Sequence, residues 1–243
     1  MKRSSRRVLN VLAAVFLATL LAACGQDSSS SDENARTTSE QSGSDPSTGA
    51  QMNDKPAIVF LGDSLTAGLG LAERESAPAL IQEKITQANL NYTVINAGRS
   101  GDTTAGGLAR LAWYLRPEVR PKILVIGLGS NDAMRGLPLA EISKNLSEII
   151  RRAREFDPEI QIFLYQMHTF PNMGPRYTRD YEALFGKVAR TEKITLLPFP
   201  LLGVAGKAEL NQPDGIHPTA KGARIMADNI WKGLAPHLRA AQI

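Results

Sequence analysis

Residues 57–66 carry the sequence AIVFLGDSLT, in which five consecutive apolar residues end at Gly62 and are followed at once by Asp63 and Ser64. A short unbroken apolar run that stops at a glycine is typical of a buried strand. A serine placed directly after such a strand lies where parallel sheets bind their ligands, beyond the carboxyl end of the strand. This stretch predicts a buried strand that presents a reactive hydroxyl group.

The same pattern recurs along the chain, because short apolar runs alternate with longer segments of helical periodicity. Apolar strands that alternate with helices along the chain predict an α/β fold, in which helices cover both faces of a parallel sheet. The predicted strands are Ala57–Leu61, Tyr92–Asn96, Lys122–Leu128, Gln161–Gln166 and Ile194–Leu197. The predicted helices are Ala77–Ala88, Thr104–Leu115, Leu139–Glu155, Arg179–Glu192 and Thr219–Leu238.

Polar clusters follow three of these strands, and a fourth precedes the last helix. They are residues 62–66 (GDSLT), 96–103 (NAGRSGDT), 127–132 (GLGSND) and 214–218 (DGIHP). A serine, a glycine-rich turn, an asparagine and an Asp/His pair at one edge of a sheet suit acyl transfer. Each cluster alone is also compatible with an ordinary turn, and the combination in this order is what carries the prediction.

A serine hydroxyl becomes an effective nucleophile when an adjacent imidazole takes its proton. The chain has three histidines, and His217 alone has an acid three residues earlier, Asp214. That acid can fix the tautomer of the imidazole and stabilise the imidazolium. His237 falls near the end of the last helix, and the role of His168, which follows the fourth strand, stays open.

The tetrahedral intermediate of acyl transfer also needs hydrogen-bond donors directed at its oxyanion. The backbone N–H groups of Ser64 and Gly101 and the side-chain amide of Asn131 are the three donors that the clusters offer. We therefore expect these residues to form an oxyanion hole beside the nucleophile.

The four clusters resemble the four consensus blocks of the SGNH (GDSL) hydrolases, and their order along the chain is the same. Within that family the chain is most similar to the bacterial arylesterase and periplasmic thioesterase/lysophospholipase branch, with further matches at 100–103 (SGDT), 107–111 (GLARL) and 196–199 (LLPF). The resemblance implies a flavodoxin-like three-layer α/β/α fold. It also implies Ser64, Asp214 and His217 as catalytic triad, and Ser64, Gly101 and Asn131 as oxyanion hole.

The resemblance further implies roles for two acids and one loop. Asp63 is expected to hold the turn that carries the nucleophile, and Asp132, a rival acid, to be structural. In the thioesterase branch the loop that matches residues 168–177 covers the acyl chain. Phe170, Met173 and Tyr177 are therefore predicted to contact an apolar acyl or aryl group.

The N-terminal segment has the features of a lipoprotein export signal. A basic start is followed by a largely apolar stretch over residues 8–23, shorter than the roughly 20 residues of a membrane-spanning helix. The stretch ends in Leu-Ala-Ala before Cys24, the only cysteine, which resembles a bacterial lipobox. The sequence thus predicts a signal peptide over 1–23, a lipidated Cys24 followed by a disordered, serine-rich acidic tether over 24–55, and a hydrolase domain over 56–243.

Charge and composition exclude some classes of partner. Four of the 28 basic residues lie in the first seven positions, so the remaining 24 only balance the 24 acidic residues, which disfavours nucleic-acid binding. Dispersed histidines and a single cysteine predict neither a metal site nor a cofactor.

The expected substrates are carboxylic esters such as aryl esters, short acyl esters or lysophospholipids, with thioester cleavage in vitro. Two alternatives stay open: a carbohydrate O-acetylesterase of the cell envelope, and a non-catalytic surface lipoprotein that uses the fold for binding. Oligomeric state is also open.

Overall fold

Within residues 55–169 and 171–240, which the computed structural model describes, the chain forms one parallel sheet of five strands. The order across the sheet is β2-β1-β3-β4-β5. This is the flavodoxin-like order of doubly wound sheets. The strands are β1 (Ala57–Gly62), β2 (Thr93–Gly98), β3 (Pro121–Gly127), β4 (Gln161–Tyr165) and β5 (Thr195–Leu197).

Seven α-helices accompany these strands within the described ranges, six between strands and one after β5. They are α1 (Ser64–Ala67), α2 (Ala77–Gln87), α3 (Thr104–Arg110), α4 (Ser130–Met134), α5 (Leu139–Phe156), α6 (Pro175–Thr191) and α7 (Ala220–Ala240). Helices α2 and α7 pack against each other, as do α3 with α5 and α5 with α6. The sheet lies between these two groups, which confirms the predicted three-layer α/β/α fold.

The sheet is buried because its strands are apolar on both faces. All six residues of β1 are buried, and so are six of the seven in β3. Helix α5 contributes a stripe at helical spacing, Ile142, Leu146, Ile149 and Ala153, all fully buried. These patterns are the ones that predicted the elements, and the five predicted strands and five predicted helices are all present, with shifts at their ends.

Two helix ends differ from the prediction for local reasons. Helix α3 stops at Arg110 and continues as a 3-10 turn over Leu111–Trp113, so the predicted helix to Leu115 is too long. Two adjacent glycines, Gly106 and Gly107, weaken its α-helical preference. Helix α6 begins at Pro175, four residues before its predicted start, because proline fits the first turn of a helix.

The order of the strands places a crevice above β1 and β3. The chain leaves β1 toward β2 on one side and then crosses to β3 on the other side. Connections that diverge in this way leave room at the carboxyl ends of the two strands, where doubly wound sheets bind ligands. Helices α1 and α4, which follow β1 and β3, lie at that crevice.

The predicted signal peptide, Cys24 and the tether up to residue 54 lie outside the described residues, as does Phe170. Within the described ranges, none of the helices combines the length and the apolar character that crossing a membrane requires.

Candidate active site

The nucleophile turn is built by the end of β1 and the short helix α1. Asp63 caps this helix, and its Oδ1 accepts the backbone N–H of Leu65 at 3.0 Å. Ser64 is therefore the first residue of α1. The end of β2 packs so closely on α1 that a Cβ at Gly98 would overlap the backbone nitrogen of Ala67. Glycine at this position lets the two elements approach.

The structure brings Ser64, His217 and Asp214 into one hydrogen-bonded row. His217 Nε2 lies 2.8 Å from Ser64 Oγ, although 153 positions separate the two residues. On the other side of the ring, His217 Nδ1 lies 2.7 Å from Asp214 Oδ2. This is the arrangement in which an imidazole can take the hydroxyl proton while a carboxylate holds the ring.

The Asp/His pair is fixed by its own turn. Asp214 Oδ1 accepts the backbone N–H groups of Ile216 and His217, both at 3.0 Å, and Gly215 between them has φ +77°. The two backbone N–H groups, the one of His217 foremost, lower the pKa of Asp214 to about 2. The acid is therefore held as a carboxylate beside the imidazole ring.

Two further acids, Asp63 and Asp132, lie near these three residues and accept hydrogen bonds from other groups. Burial raises the pKa of Asp63 to about 6, with the Leu65 N–H opposing the rise, and only 1% of this residue is exposed. Asp132 accepts the hydroxyl of Thr104 at 2.6 Å and its backbone N–H at 2.9 Å. Asp132 thereby fastens the start of α3 to α4, and it does not contact His217.

The Gly101 turn is the second half of the site. The N–H of Asp102 bonds to the carbonyl of Arg99 at 3.1 Å, and Gly101 has φ +82°, a conformation in which glycine is favoured. Two side chains hold the outer carbonyl groups of this turn. Asn131 Nδ2 donates to Asp102 O at 2.9 Å, and Arg135 Nη2 donates to Gly101 O at 2.9 Å.

Asn131 is the only one of these side chains that also faces the nucleophile, because it lines the same cavity as Ser64. An amide nitrogen carries two hydrogens. One hydrogen of Asn131 bonds to Asp102, which leaves the second for a ligand atom beside Ser64. Gly101 lies within the turn and is not among the residues that line the cavity.

The cavity at Ser64 has a volume of about 440 Å³. This is within the range of small-molecule sites. Ser64, His217 and Asn131 contribute polar groups to it, as do Asp63, Ser130, Thr169 and Asn211, but most of its wall is apolar. The apolar wall is formed by Leu65, Met134, Phe199, Leu201, Ala205 and Ile216. His168 also lines it, held by Glu182 Oε1 at 2.8 Å from its Nδ1 and packed edge-on against Phe199. Such a wall suits an apolar acyl or aryl group.

The structure does not bring two of the predicted substrate contacts to this cavity. Met173 and Tyr177 line a separate hollow together with Leu139 and Pro175. The Tyr177 hydroxyl donates to the carbonyl of Leu137 at 3.2 Å. The third predicted contact, Phe170, lies outside the described residues.

Sequence reasoning missed Arg135 and most of the apolar wall. Arg135 follows Asn131 by four residues, and that spacing on a helix places both on one side, which was the available signal. Phe199, Leu201 and Ala205 come from the segment after β5, which carries no catalytic motif. Their position depends on how this segment folds back over the sheet, and no local pattern reveals it.

Comparison with known proteins is consistent with this geometry. A model described as the GDSL-like lipase/acylhydrolase family matches residues 60–225. The chain is 39% identical over 181 residues to esterase TesA of Pseudomonas aeruginosa, across 74% of this chain and 89% of that protein. It is 34% identical over 192 residues to an arylesterase of Vibrio mimicus, across 79% and 94%.

A similar fold is found in the psychrotrophic esterase EstA from Pseudoalteromonas sp., in a structure inhibited by monoethylphosphonate. The TM-score is 0.71 at 31% identity, over 75% of this chain and 98% of that one.

Proposed function

The chain belongs to the GDSL-like lipase/acylhydrolase family, and from this premise we propose that it hydrolyses carboxylic esters through an acyl-enzyme intermediate on Ser64. The observation that carries the proposal is the row of Ser64, His217 and Asp214, with contacts of 2.8 and 2.7 Å. A hydroxyl, an imidazole and a carboxylate at these distances are what nucleophilic acyl transfer requires.

In the first half of the reaction, Ser64 Oγ attacks the carbonyl carbon of the ester while His217 Nε2 takes the hydroxyl proton. The carbonyl oxygen becomes an oxyanion, for which the N–H groups of Ser64 and Gly101 and the free N–H of Asn131 are the proposed donors. The C–O bond to the alcohol then breaks, and the alcohol leaves with the proton from His217.

In the second half, a water molecule repeats the attack on the acyl-enzyme. His217 takes a proton from the water, the carbonyl again becomes an oxyanion, and the acyl–Ser64 bond breaks. The proton passes back to Ser64 Oγ, and the carboxylic acid leaves. Asp214 stays ionised throughout, since its pKa of about 2 keeps it negative beside the imidazolium.

The substrate class follows from the apolar wall. Phe199, Leu201 and Ile216 offer contacts to a medium-length acyl chain or an aryl group, whereas an acetyl group would leave most of this wall uncovered. We therefore favour acyl and aryl esters, including lysophospholipids, over the acetyl groups of a carbohydrate. Thioesters would be cleaved by the same groups in vitro.

A series of p-nitrophenyl esters from acetyl to dodecanoyl, assayed with the full chain, tests the proposal. We expect kcat/KM to rise from acetyl to a medium chain length, and Ser64→Ala to abolish both turnover and labelling by a fluorophosphonate. Hydrolysis retained in folded Ser64→Ala would disprove the acyl-enzyme. A preference for acetyl over hexanoyl would favour the O-acetylesterase.

The proposal extends to the cell envelope. A basic start, an apolar stretch and Leu-Ala-Ala-Cys24 support export and attachment of a lipid at Cys24. We expect the full chain to fractionate with membranes, and Cys24→Ser to lose the mass of the attached acyl groups and the membrane association. Membrane association and an N-terminal mass unchanged in Cys24→Ser would disprove the anchor.

A further inference from the structure

One charged side chain lies in the interior without a place in the reaction. Arg110, the last residue of α3, is 3% exposed. Its Nε donates to Asp102 Oδ2 at 2.5 Å, and its Nη2 donates to Gly62 O at 2.8 Å. The guanidinium also lies 5.8 Å from the centre of the Tyr114 ring. A long side chain on a helix points toward the helix N-terminus, which is how Arg110 reaches the turn that precedes α3.

Two of its hydrogen-bond acceptors belong to the two halves of the site, and the third is the Tyr114 hydroxyl, 3.5 Å from Nη1. Gly62 is the last residue of β1 and precedes Ser64 by two positions, while Asp102 directly follows Gly101. The carbonyl of Gly62 also accepts the backbone N–H of Arg99 at 3.0 Å, at the start of the Gly101 turn. One planar group thus connects the strand that carries the nucleophile with the turn that carries a proposed oxyanion donor.

The energetics of the buried ion pair between Arg110 and Asp102 favour a role in positioning its neighbours over a role in stability. A buried ion pair gives little net stability compared with apolar packing of the same volume, because both charges lose their hydration. The guanidinium fork, however, fixes its acceptors in one plane and in two directions, which the ammonium group of lysine cannot do. Oxyanion donors act only when they lie about 2.7–3.1 Å from the developing charge, so the spacing between Ser64 and the Gly101 turn matters.

We infer that Arg110 is a positioning residue, which sets the spacing between Ser64 and the Gly101 turn through its bonds to Gly62 and Asp102. The inference rests on the proposed roles of Ser64 and Gly101. Arg110 itself does not line the cavity, so it acts through these neighbours and not on the substrate.

The test uses Arg110→Lys, Asp102→Asn and the double variant in the full chain. A misplacement of the order of 1 Å costs up to about 100-fold in rate. We therefore expect Arg110→Lys to lower kcat roughly 10- to 100-fold, with KM within about threefold. The double variant should be no slower than the slower single variant, because the two side chains act as one unit.

A matched control is Arg154→Lys. Arg154 also bonds a backbone carbonyl and lies near a carboxylate, with Nη2 2.5 Å from Glu192 O and Nη1 3.7 Å from Glu192 Oε2, but it is remote from Ser64. We expect its kcat to equal that of the wild type. Melting temperatures of all variants separate lost stability from lost rate, since a merely structural role would lower Tm and leave kcat unchanged well below Tm.

A second readout is the affinity for a trifluoromethyl ketone, whose adduct with a serine carries an oxyanion. In Arg110→Lys and Asp102→Asn, this inhibitor affinity should fall by the same factor as kcat/KM. If Arg110→Lys does not fold, Asp102→Asn, which keeps the side-chain shape, decides. Wild-type kcat in either folded variant would overturn the inference while leaving Ser64 unaffected, whereas an active Ser64→Ala would overturn the proposed function itself.

Discussion

Asp214 and His217 are joined twice. Oδ2 of the carboxylate lies 2.7 Å from Nδ1 of the ring, and Oδ1 accepts the backbone N–H of the same histidine at 3.0 Å. The acid therefore fixes both the ring and the backbone that carries it. The pair is partly open to solvent, since 45% of the Asp214 side chain is exposed against 13% for His217.

These two contacts predict the effect of Asp214→Asn. The asparagine oxygen can still accept the two backbone N–H groups, so we expect folding and Tm to change little. Its amide would donate to Nδ1 and hold the tautomer whose Nε2 cannot accept the Ser64 proton. We expect kcat to fall roughly 10²- to 10⁴-fold near neutral pH, measured on a p-nitrophenyl ester. A fall of less than about fivefold would show that Asp214 does not orient the base.

Ser64, His217 and Asp214 could be predicted from the sequence because each is part of a short local pattern. Asp214 and His217 lie three residues apart, and Ser64 follows a strand with an unmistakable apolar run. Parallel strands place their carboxyl ends at one edge, so the topology brings distant clusters together. The short helices α1 and α4 were not predicted, because four or five residues are too few to show a period.

The surroundings of these three residues could not be predicted in the same way. Arg110 was visible as part of a motif, but its bonds to Gly62 and Asp102 depend on how α3 lies against the sheet. The match at 196–199 includes Phe199 but does not show that it and Leu201 line the cavity, and Met173 and Tyr177 belong to a hollow that the resemblance did not suggest. The type of reaction can be predicted from the residue types in the motifs, whereas the shape of the pocket depends on how distant segments pack.

The two hydrogens of the Asn131 amide make its substitution informative. One bonds to Asp102 O, and the other is the proposed donor to the oxyanion. Because that interaction strengthens only as charge develops, Asn131→Ala should lower kcat about 10²- to 10³-fold with a small change in KM. Asn145→Ala, which removes an amide bonded to Thr104 Oγ1, is the control and should keep its kcat. Equal kcat values for the two variants would exclude Asn131 as an oxyanion donor.

Gly101 is expected to be sensitive through its backbone and not through crowding. A Cβ there would meet nothing closer than Arg135 Nη2 at 3.9 Å, but φ is +82°. Gly101→Ala should therefore cost about 1–2 kcal/mol in the free energy of unfolding, or else shift the turn. Since the turn carries a proposed donor, we expect kcat to fall at least tenfold as well.

Gly203→Ala is the matched control for Gly101. Gly203 has φ +77°, and a Cβ added there would meet no atom within 4 Å, so the backbone strain is similar, while Gly203 itself does not line the cavity. We expect similar losses of Tm in both variants and a loss of kcat in Gly101→Ala alone. Parallel losses of activity in the two would mean that strain, and not donor position, explains the effect.

The raised pKa of Asp63 predicts an unusual pH dependence of the free energy of unfolding. Its folded-state pKa is about 6, against 3.8 for the unconstrained group, so the folded protein holds this proton more tightly than the unfolded chain. The stability this provides is full below about pH 4 and is lost as the pH rises through 6. Asp63→Asn keeps the cap on Leu65 and removes the titration. Its stability relative to the wild type should increase between pH 4 and 6 by the order of 1–3 kcal/mol.

Thermal melts of both proteins from pH 3 to 8 test this dependence, and Asp157→Asn serves as the opposite control. The bond from Lys122 holds the pKa of Asp157 below its usual value, so that carboxylate stabilises the fold above pH 4. Asp157→Asn should lose stability relative to the wild type as the pH rises through the acid range. A difference between Asp63→Asn and the wild type that is flat across pH 4–6 would refute the prediction.

The apolar wall predicts how chain-length preference can be changed. Ala205 is exposed and lines the cavity together with Phe199 and Leu201, so a larger side chain there fills acyl space without disturbing the core. In Ala205→Phe we expect kcat/KM for a decanoyl ester to fall about tenfold or more, while that for an acetyl ester stays within about twofold. Ala208→Phe makes the same change at an exposed position outside the cavity and should leave the profile unchanged. If Ala205→Phe slowed acetyl and decanoyl esters equally, the acyl chain would have to lie elsewhere, and the hollow beside Met173 and Tyr177 would become the next site to test.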